Sequence, residues 1–124
     1  EPTPAEPVQV ARLVVPVTFT VEVSARTNSD VYIAGDFHSA EYPLWDPAGL
    51  KLTQADDTHW TITLNIPEGE TIEYKYVRGD WSAVEKDATC QEIANRRVTV
   101  RPGASGTVDV TDSVIKWRDL DQCG

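Results

Sequence analysis

A chain of 124 residues with 20 Asp and Glu against 11 Lys and Arg, a formal net charge of −9, has the length of one compact domain. That is enough to bury a core without depending on metals or many disulfides. The negative balance opposes nucleic acid and anionic membrane surfaces, leaves neutral ligands open and suits a soluble monomer. No apolar run reaches the roughly 18–20 residues of a membrane helix.

Glu1 to Pro7 (E-P-T-P-A-E-P) reads as a stiff, extended linker. Residues 1–12 are assigned to that linker and 13–124 to the domain, and the chain is expected to be a module of a larger secreted protein. Val17, Phe19, Val21 and Val23 alternate with polar residues, the period of a half-buried strand. Val31-Tyr32-Ile33-Ala34 makes a second strand, ended by Gly35-Asp36. A long loop follows from Phe37 to Gly49, and Leu50 and Leu52 suggest a short strand. Trp60, Ile62, Leu64 and Ile66 alternate again and stop at Pro67-Glu68-Gly69.

Thr71 to Arg78 is a strand with Ile72, Tyr74 and Tyr76 on one face and Glu73, Lys75 and Val77 on the other. Arg78-Gly79-Asp80 marks a turn, after which Ser82 to Lys86 returns as a short strand. Val98 and Val100 open another strand, and Val108 and Val110 begin the final one. Val114, Ile115 and Trp117 either continue it or pack separately. The sum is an all-β, antiparallel, immunoglobulin-like sandwich of about seven to eight strands. The Phe37–Gly49 loop and the Gly79–Asn95 segment are left to carry function.

Cys90 and Cys123 form no C-x-x-C pair, which weakens zinc or thioredoxin-like readings. They are either two unrelated thiols or, the reading adopted, one disulfide in a secreted protein. Of the four tryptophans, Trp60 shares the phase of Ile62 and Leu64 and belongs in the core, and Trp117 packs beside Val114 and Ile115. Trp45 and Trp81 fall in loops, where an indole needs packing or a ligand. Trp81 is read as facing a ligand, and Trp45 as serving either purpose.

Beside these indoles in sequence lie Lys75, Glu85, Glu92 and Asn95. Each alone reads as a solvated surface residue. Together with an indole face they suit a neutral, ring-shaped, hydroxyl-rich ligand, whose apolar C–H face lies on the indole while its hydroxyls take donors and acceptors. Catalysis finds little support. His38 and His59 have no matching Ser or Cys nucleophile motif, and the sequence places no glycosidase-like carboxylate pair. Asp30, Asp36, Asp46 and Asp80 follow no EF-hand pattern, so neither a metal nor a cofactor is assigned.

The chain resembles the starch-binding domains of carbohydrate-binding module family 20, especially those appended to bacterial amylases and amylopullulanases. The resemblance covers about residues 13 to 117. It rests on Val17-Thr18-Phe19, Val31-Tyr32-Ile33-Ala34-Gly35-Asp36, Trp45-Asp46-Pro47, Trp60 with Leu64, Pro67-Glu68-Gly69, Glu73-Tyr74-Lys75-Tyr76 and Asn95-Arg96. It implies a non-catalytic sandwich that binds starch, maltooligosaccharides or cyclodextrin and targets an attached glycoside hydrolase to polysaccharide. Trp45, Lys75 and Asn95 would be family site residues.

The chain departs from the family where a tryptophan usually precedes a glutamate before Asn-Arg. Val84-Glu85 stands there, Trp81 lies earlier, and Lys86–Ala94 reads as an insertion. Trp81 is taken as the substitute platform and Glu85 or Glu92 as the carboxylate. Tyr42 is the one loop tyrosine available to a second site. The rival readings are a structural spacer that docks neighbouring domains and a glycogen-binding regulatory module.

Overall fold

The computed structural model describes residues 13–24, 27, 29–37 and 42–120. The residue 1–12 linker, His38 and Cys123 lie outside them. Strands run as β1 (Val14–Val23), β2 (Tyr32–Gly35), β3 (Thr53–Gln54), β4 (His59–Pro67), β5 (Thr71–Val77), β6 (Glu85–Lys86), β7 (Arg96–Thr99), β8 (Val108–Val114) and β9 (Lys116–Trp117). One sheet has the order β3-β4-β1-β8, a second β2-β5-β7, and β6 pairs with β9 in a small ladder.

The alternation read in β1 becomes a wall of the core. Val15, Val17, Phe19, Val21 and Val23 are all buried, and each such side chain contributes roughly 1.5–3 kcal/mol when removed from water. Val17 faces Leu64 and Val21 faces Trp60 across the β1–β4 register. On the outward face Thr18 meets Thr63, their hydroxyls 2.9 Å apart. The second sheet closes the sandwich with Ile33 from β2 and Ile72, Tyr74 and Tyr76 from β5. Phe19 meets Tyr74 edge to face at 5.0 Å, joining the two sheets.

The pairing is antiparallel except between β1 and β8, which run parallel from Val17↔Val108 to Val23↔Val114. Pro16 has no N–H to donate, and it sits just before the first β8 rung, where the ladder loses nothing.

Three expectations shift in detail. Leu52 is core, but the pairing near it is at Thr53–Gln54, with a single bridge from Lys51 to Tyr32. Instead of one strand over Ser82–Lys86 there is a 3₁₀ turn at Trp81–Ala83 followed by the two residues of β6. Val114 closes β8, whereas Trp117 belongs to β9 and is buried opposite Glu85. Among the described residues this gives nine strands, three of them only two residues long. Sequence periodicity cannot register elements that short.

Candidate functional site

The outer face of β5 carries the site. Val77 on that face joins Ala34 and Val84 in a small apolar cluster, with Tyr32 and Trp45 packed against it. Lys75 is drawn in beside it. Its side chain is only 11% exposed, and Nζ lies 3.7 Å from Glu92 Oε1.

Trp45 reaches this face through an unusual backbone. Its φ of 50° lies in the left-handed region that most side chains avoid, and its N–H donates to the Gly35 carbonyl at 2.9 Å. Gly35 permits that approach, since a Cβ there would meet the Glu73 carbonyl oxygen at 2.6 Å and Phe37 and Tyr74 at 2.9 Å. Next to Trp45, the Asp46 carboxylate accepts the Ala48 N–H at 2.9 Å and stiffens the loop.

Trp81 arrives from the turn after β5. Gly79 supplies a φ of 92°, and Asp80 caps the 3₁₀ turn by accepting the Ser82 N–H at 2.9 Å. The Ser82 backbone bond, and then the Ser82 side chain, hold the Asp80 carboxyl below its ordinary value. The indole that follows is 37% exposed, whereas Trp60 and Trp117 are buried.

Asn95 sits just before β7. Its Nδ2 donates to Glu73 Oε1 at 3.1 Å, while Arg97 holds the other oxygen at 3.1 Å. Glu92 comes from the loop between β6 and β7, bridged to Lys86. Asp87 organises that loop by accepting the N–H groups of Thr89 and Gln91 and the Thr89 hydroxyl. The Gln91 and then the Thr89 contacts lower the Asp87 pKa.

These elements enclose an open pocket of about 390 Å³ lined by Trp45, Lys75, Trp81, Val84, Lys86, Glu92, Asn95 and Arg118. Five residues singled out from the sequence therefore stand around one space. Val84, Lys86 and Arg118 were missed, because their facing depends on the two-residue β6–β9 ladder.

Glu85 does not line the pocket and is corrected to a structural role. It is 1% exposed. Its Oε2 accepts the Tyr76 backbone N–H at 2.8 Å, and its carboxylate binds Arg96 through Nε and Nη2. The β5–β7 register ends at Tyr74↔Arg96, so the Glu85 carboxylate satisfies the strand edge where β7 has run out. Burial opposes the Arg96 charge, but Glu85, Asp112 and Tyr76 outweigh it and leave the guanidinium pKa above its ordinary value.

Tyr42 also lies off the pocket. Its hydroxyl accepts the Asn65 N–H at 3.0 Å, and its ring meets Phe37 edge to face. Of the histidines, His59 sits on β4 between Asp56 and Glu22, away from the pocket lining. Among the described residues no group of three or more His, Cys, Asp or Glu is arranged to hold a metal ion. No helix among them is long and apolar enough to cross a membrane.

The family model described as the starch binding domain matches residues 14–110. The chain belongs to that family. As a starch-binding domain it is a non-catalytic carbohydrate-binding module on a β-sandwich. It is 44% identical over 105 residues to an amylopullulanase of Thermoanaerobacter thermohydrosulfuricus, covering 84% of this chain and 7% of that protein. It is 41% identical over 105 residues to an alpha-amylase of Niallia circulans, covering 83% of this chain and 8% of that protein. The domain thus spans less than a tenth of these curated relatives. A glycoside hydrolase family 15 glucoamylase from Hypocrea jecorina superposes with a TM-score of 0.64 at 26% identity, over 84% of this chain and 18% of that chain.

Proposed function

We propose that this starch-binding domain holds α-1,4-glucan in the pocket of Trp45, Lys75, Trp81, Glu92 and Asn95, and so keeps an attached amylolytic catalytic domain on its polysaccharide. The observation that carries this reading is the convergence of two indoles from separate loops on one open pocket with three polar side chains. An indole accepts the apolar face of a glucosyl ring, while Lys75 and Asn95 Nδ2 donate and Glu92 accepts. Openness to solvent suits a polymer that enters from either side. Little area is buried, so affinity for maltooligosaccharides and cyclodextrin falls in roughly the micromolar to millimolar range. Weak binding still serves an enzyme in the same chain, because tethering raises its effective concentration at the substrate.

The relatives named above support the attachment to an amylase or amylopullulanase, and with it a secreted location. The domain acts as a monomer in this reading. No described cysteine is free. We read Cys90 as bonded to Cys123, which closes a loop of about 34 residues worth roughly 3–4 kcal/mol in the chain-entropy picture.

The test is tryptophan fluorescence of the domain titrated with β-cyclodextrin, with cellohexaose as the control. A saturable change with cyclodextrin alone is expected. No change with either sugar, together with failure to co-sediment with granular starch, overturns the proposal.

A further inference from the structure

The pocket is electrostatically unlike its chain. The protein carries a formal charge of −9, yet the charged residues lining the pocket are Lys75, Lys86 and Arg118 against Glu92 alone. Lys75 is matched by Glu92 at 3.7 Å. Lys86 and Arg118 have no carboxylate within 4.0 Å among the described residues, whereas Arg78, Arg96 and Arg97 all form such pairs.

The β6–β9 ladder explains how the two cations come together. Glu85 faces Trp117 and both point inward, being 1% and 2% exposed. Strand alternation therefore turns Val84, Lys86, Lys116 and Arg118 to the opposite side, where Val84, Lys86 and Arg118 line the pocket. The Arg118 N–H donates to the Val84 carbonyl at 2.8 Å and fixes Arg118 beside the apolar floor. From the other end, Arg78 grips Asp119 with two hydrogen bonds of 2.6 and 3.0 Å. Lys86 also stands directly across from Lys116. Like charges opposite each other destabilise a ladder, and Glu92, which bridges Lys86 on its other side, is already the ion-pair partner of Lys75. Asp87, next to Lys86, offsets part of that charge, but the pocket lining still holds three cations to one carboxylate, and a neutral glucan brings no negative charge to it.

We propose that the Lys86–Arg118 side of the pocket is a subsite for a phosphomonoester carried on the α-glucan, so that the domain prefers phosphorylated over unmodified chains. Resting on the glucan-binding reading above, this adds an anionic substituent to its ligand. A phosphomonoester brings close to two negative charges at neutral pH and three strong acceptor oxygens. Guanidinium and ammonium groups are well matched to it. The indoles hold the sugar chain, and the two cations select where a phosphate sits along it.

The experiment titrates the domain by calorimetry with maltooligosaccharides of one length, with and without a 6-phosphate, and with inorganic phosphate. Wild type is expected to bind the phosphorylated chain about five- to tenfold more tightly, as two exposed charge contacts allow. Raising the salt to roughly 0.5 M should shrink that ratio. The K86Q/R118Q double variant is expected to bring it close to one. Because the readout is a ratio within each protein, a general loss of binding does not imitate it. A wild-type ratio of one with intact neutral binding overturns this inference and leaves the glucan reading standing. So does a ratio that survives in the double variant, or inorganic phosphate binding as tightly as the phosphorylated chain. Failure of wild type to bind the neutral chain overturns both readings.

Discussion

The two faces of β5 put residues of similar chemistry to opposite uses. Inward, Tyr74 and Tyr76 both donate their hydroxyls to Asp112 Oδ2, at 2.7 and 2.9 Å, and Arg96 lies over the Tyr76 ring at 5.5 Å. Both phenols there are committed to another part of the protein. Outward, Lys75, Asn95 and Glu92 have single, longer partners and face an open pocket. The inner polar groups complete each other, whereas the outer ones keep hydrogen-bonding capacity free for something else. Position relative to the two sheets decides the role, and residue type does not.

That contrast breaks first, and most heavily, at Glu85. Glu85→Ala removes the partner of a part-buried guanidinium and leaves the Tyr76 N–H unsatisfied, at a cost of about 3–5 kcal/mol in urea unfolding. A loss below about 1 kcal/mol would mean that Asp112, 3.4 Å from Arg96, carries the pair unaided. Trp45→Ala should straddle the comparison, since the indole both packs on Val77 and Val84 and lines the pocket. The expectation is about 1–3 kcal/mol of lost stability together with weakened cyclodextrin binding. Trp81→Ala tests the outer face alone. Its affinity should fall by about tenfold or more while stability stays within about 0.5 kcal/mol. Unchanged affinity would remove Trp81 from the site.

Smaller effects come from titration. Burial, and then Asp112, push the Tyr74 and Tyr76 phenols above their ordinary value of 10.0. A raised pKa in the folded state means that the stability these groups contribute is complete below pH 10 and is lost as the pH climbs beyond it. Alkaline unfolding followed by phenolate absorbance should show both rings ionising only as the fold gives way. The Y74F/Y76F variant should lose that dependence. At the other end of the scale, the Asp80 carboxyl lies below its ordinary value of 3.8 because it caps the Trp81 turn. Its depressed pKa makes the cap complete above that value and lost as the pH falls through the lower one. Cyclodextrin affinity should weaken by about threefold more in wild type than in D80N as the pH falls from roughly 4 to 2, since asparagine caps without a charge. Equal weakening in the two proteins would show that the cap does not govern Trp81.

The long strands were legible because their alternation runs over many residues. Val17 to Val23 and Trp60 to Ile66 each repeat it several times, so the inward side is unambiguous. Glu85 was not legible. It lies near Trp81 in sequence, but one step of strand pleat separates it from the pocket residues Val84 and Lys86. Only its pairing with Trp117, more than thirty positions along, reveals which way it points. Tyr42 misled for a related reason, since a loop aromatic reads the same whether it meets ligand or reaches a neighbouring strand, as its bond to Asn65 does. Arg118 carried no local signal at all.

The parallel pairing of β1 with β8 has a mechanical meaning for a module read as fastening an enzyme to a solid. The chain enters β1 at Val14 and leaves β8 at Val114, and the two strands point the same way. Tension applied through the flanking chain therefore drags them past each other lengthwise, once the two-residue β9 has let go. The rungs from Val17↔Val108 to Val23↔Val114 are strained together and not peeled one at a time. The core strand Val14–Val23 thereby becomes the resistant seam of a tether, placed where a moving catalytic domain would pull.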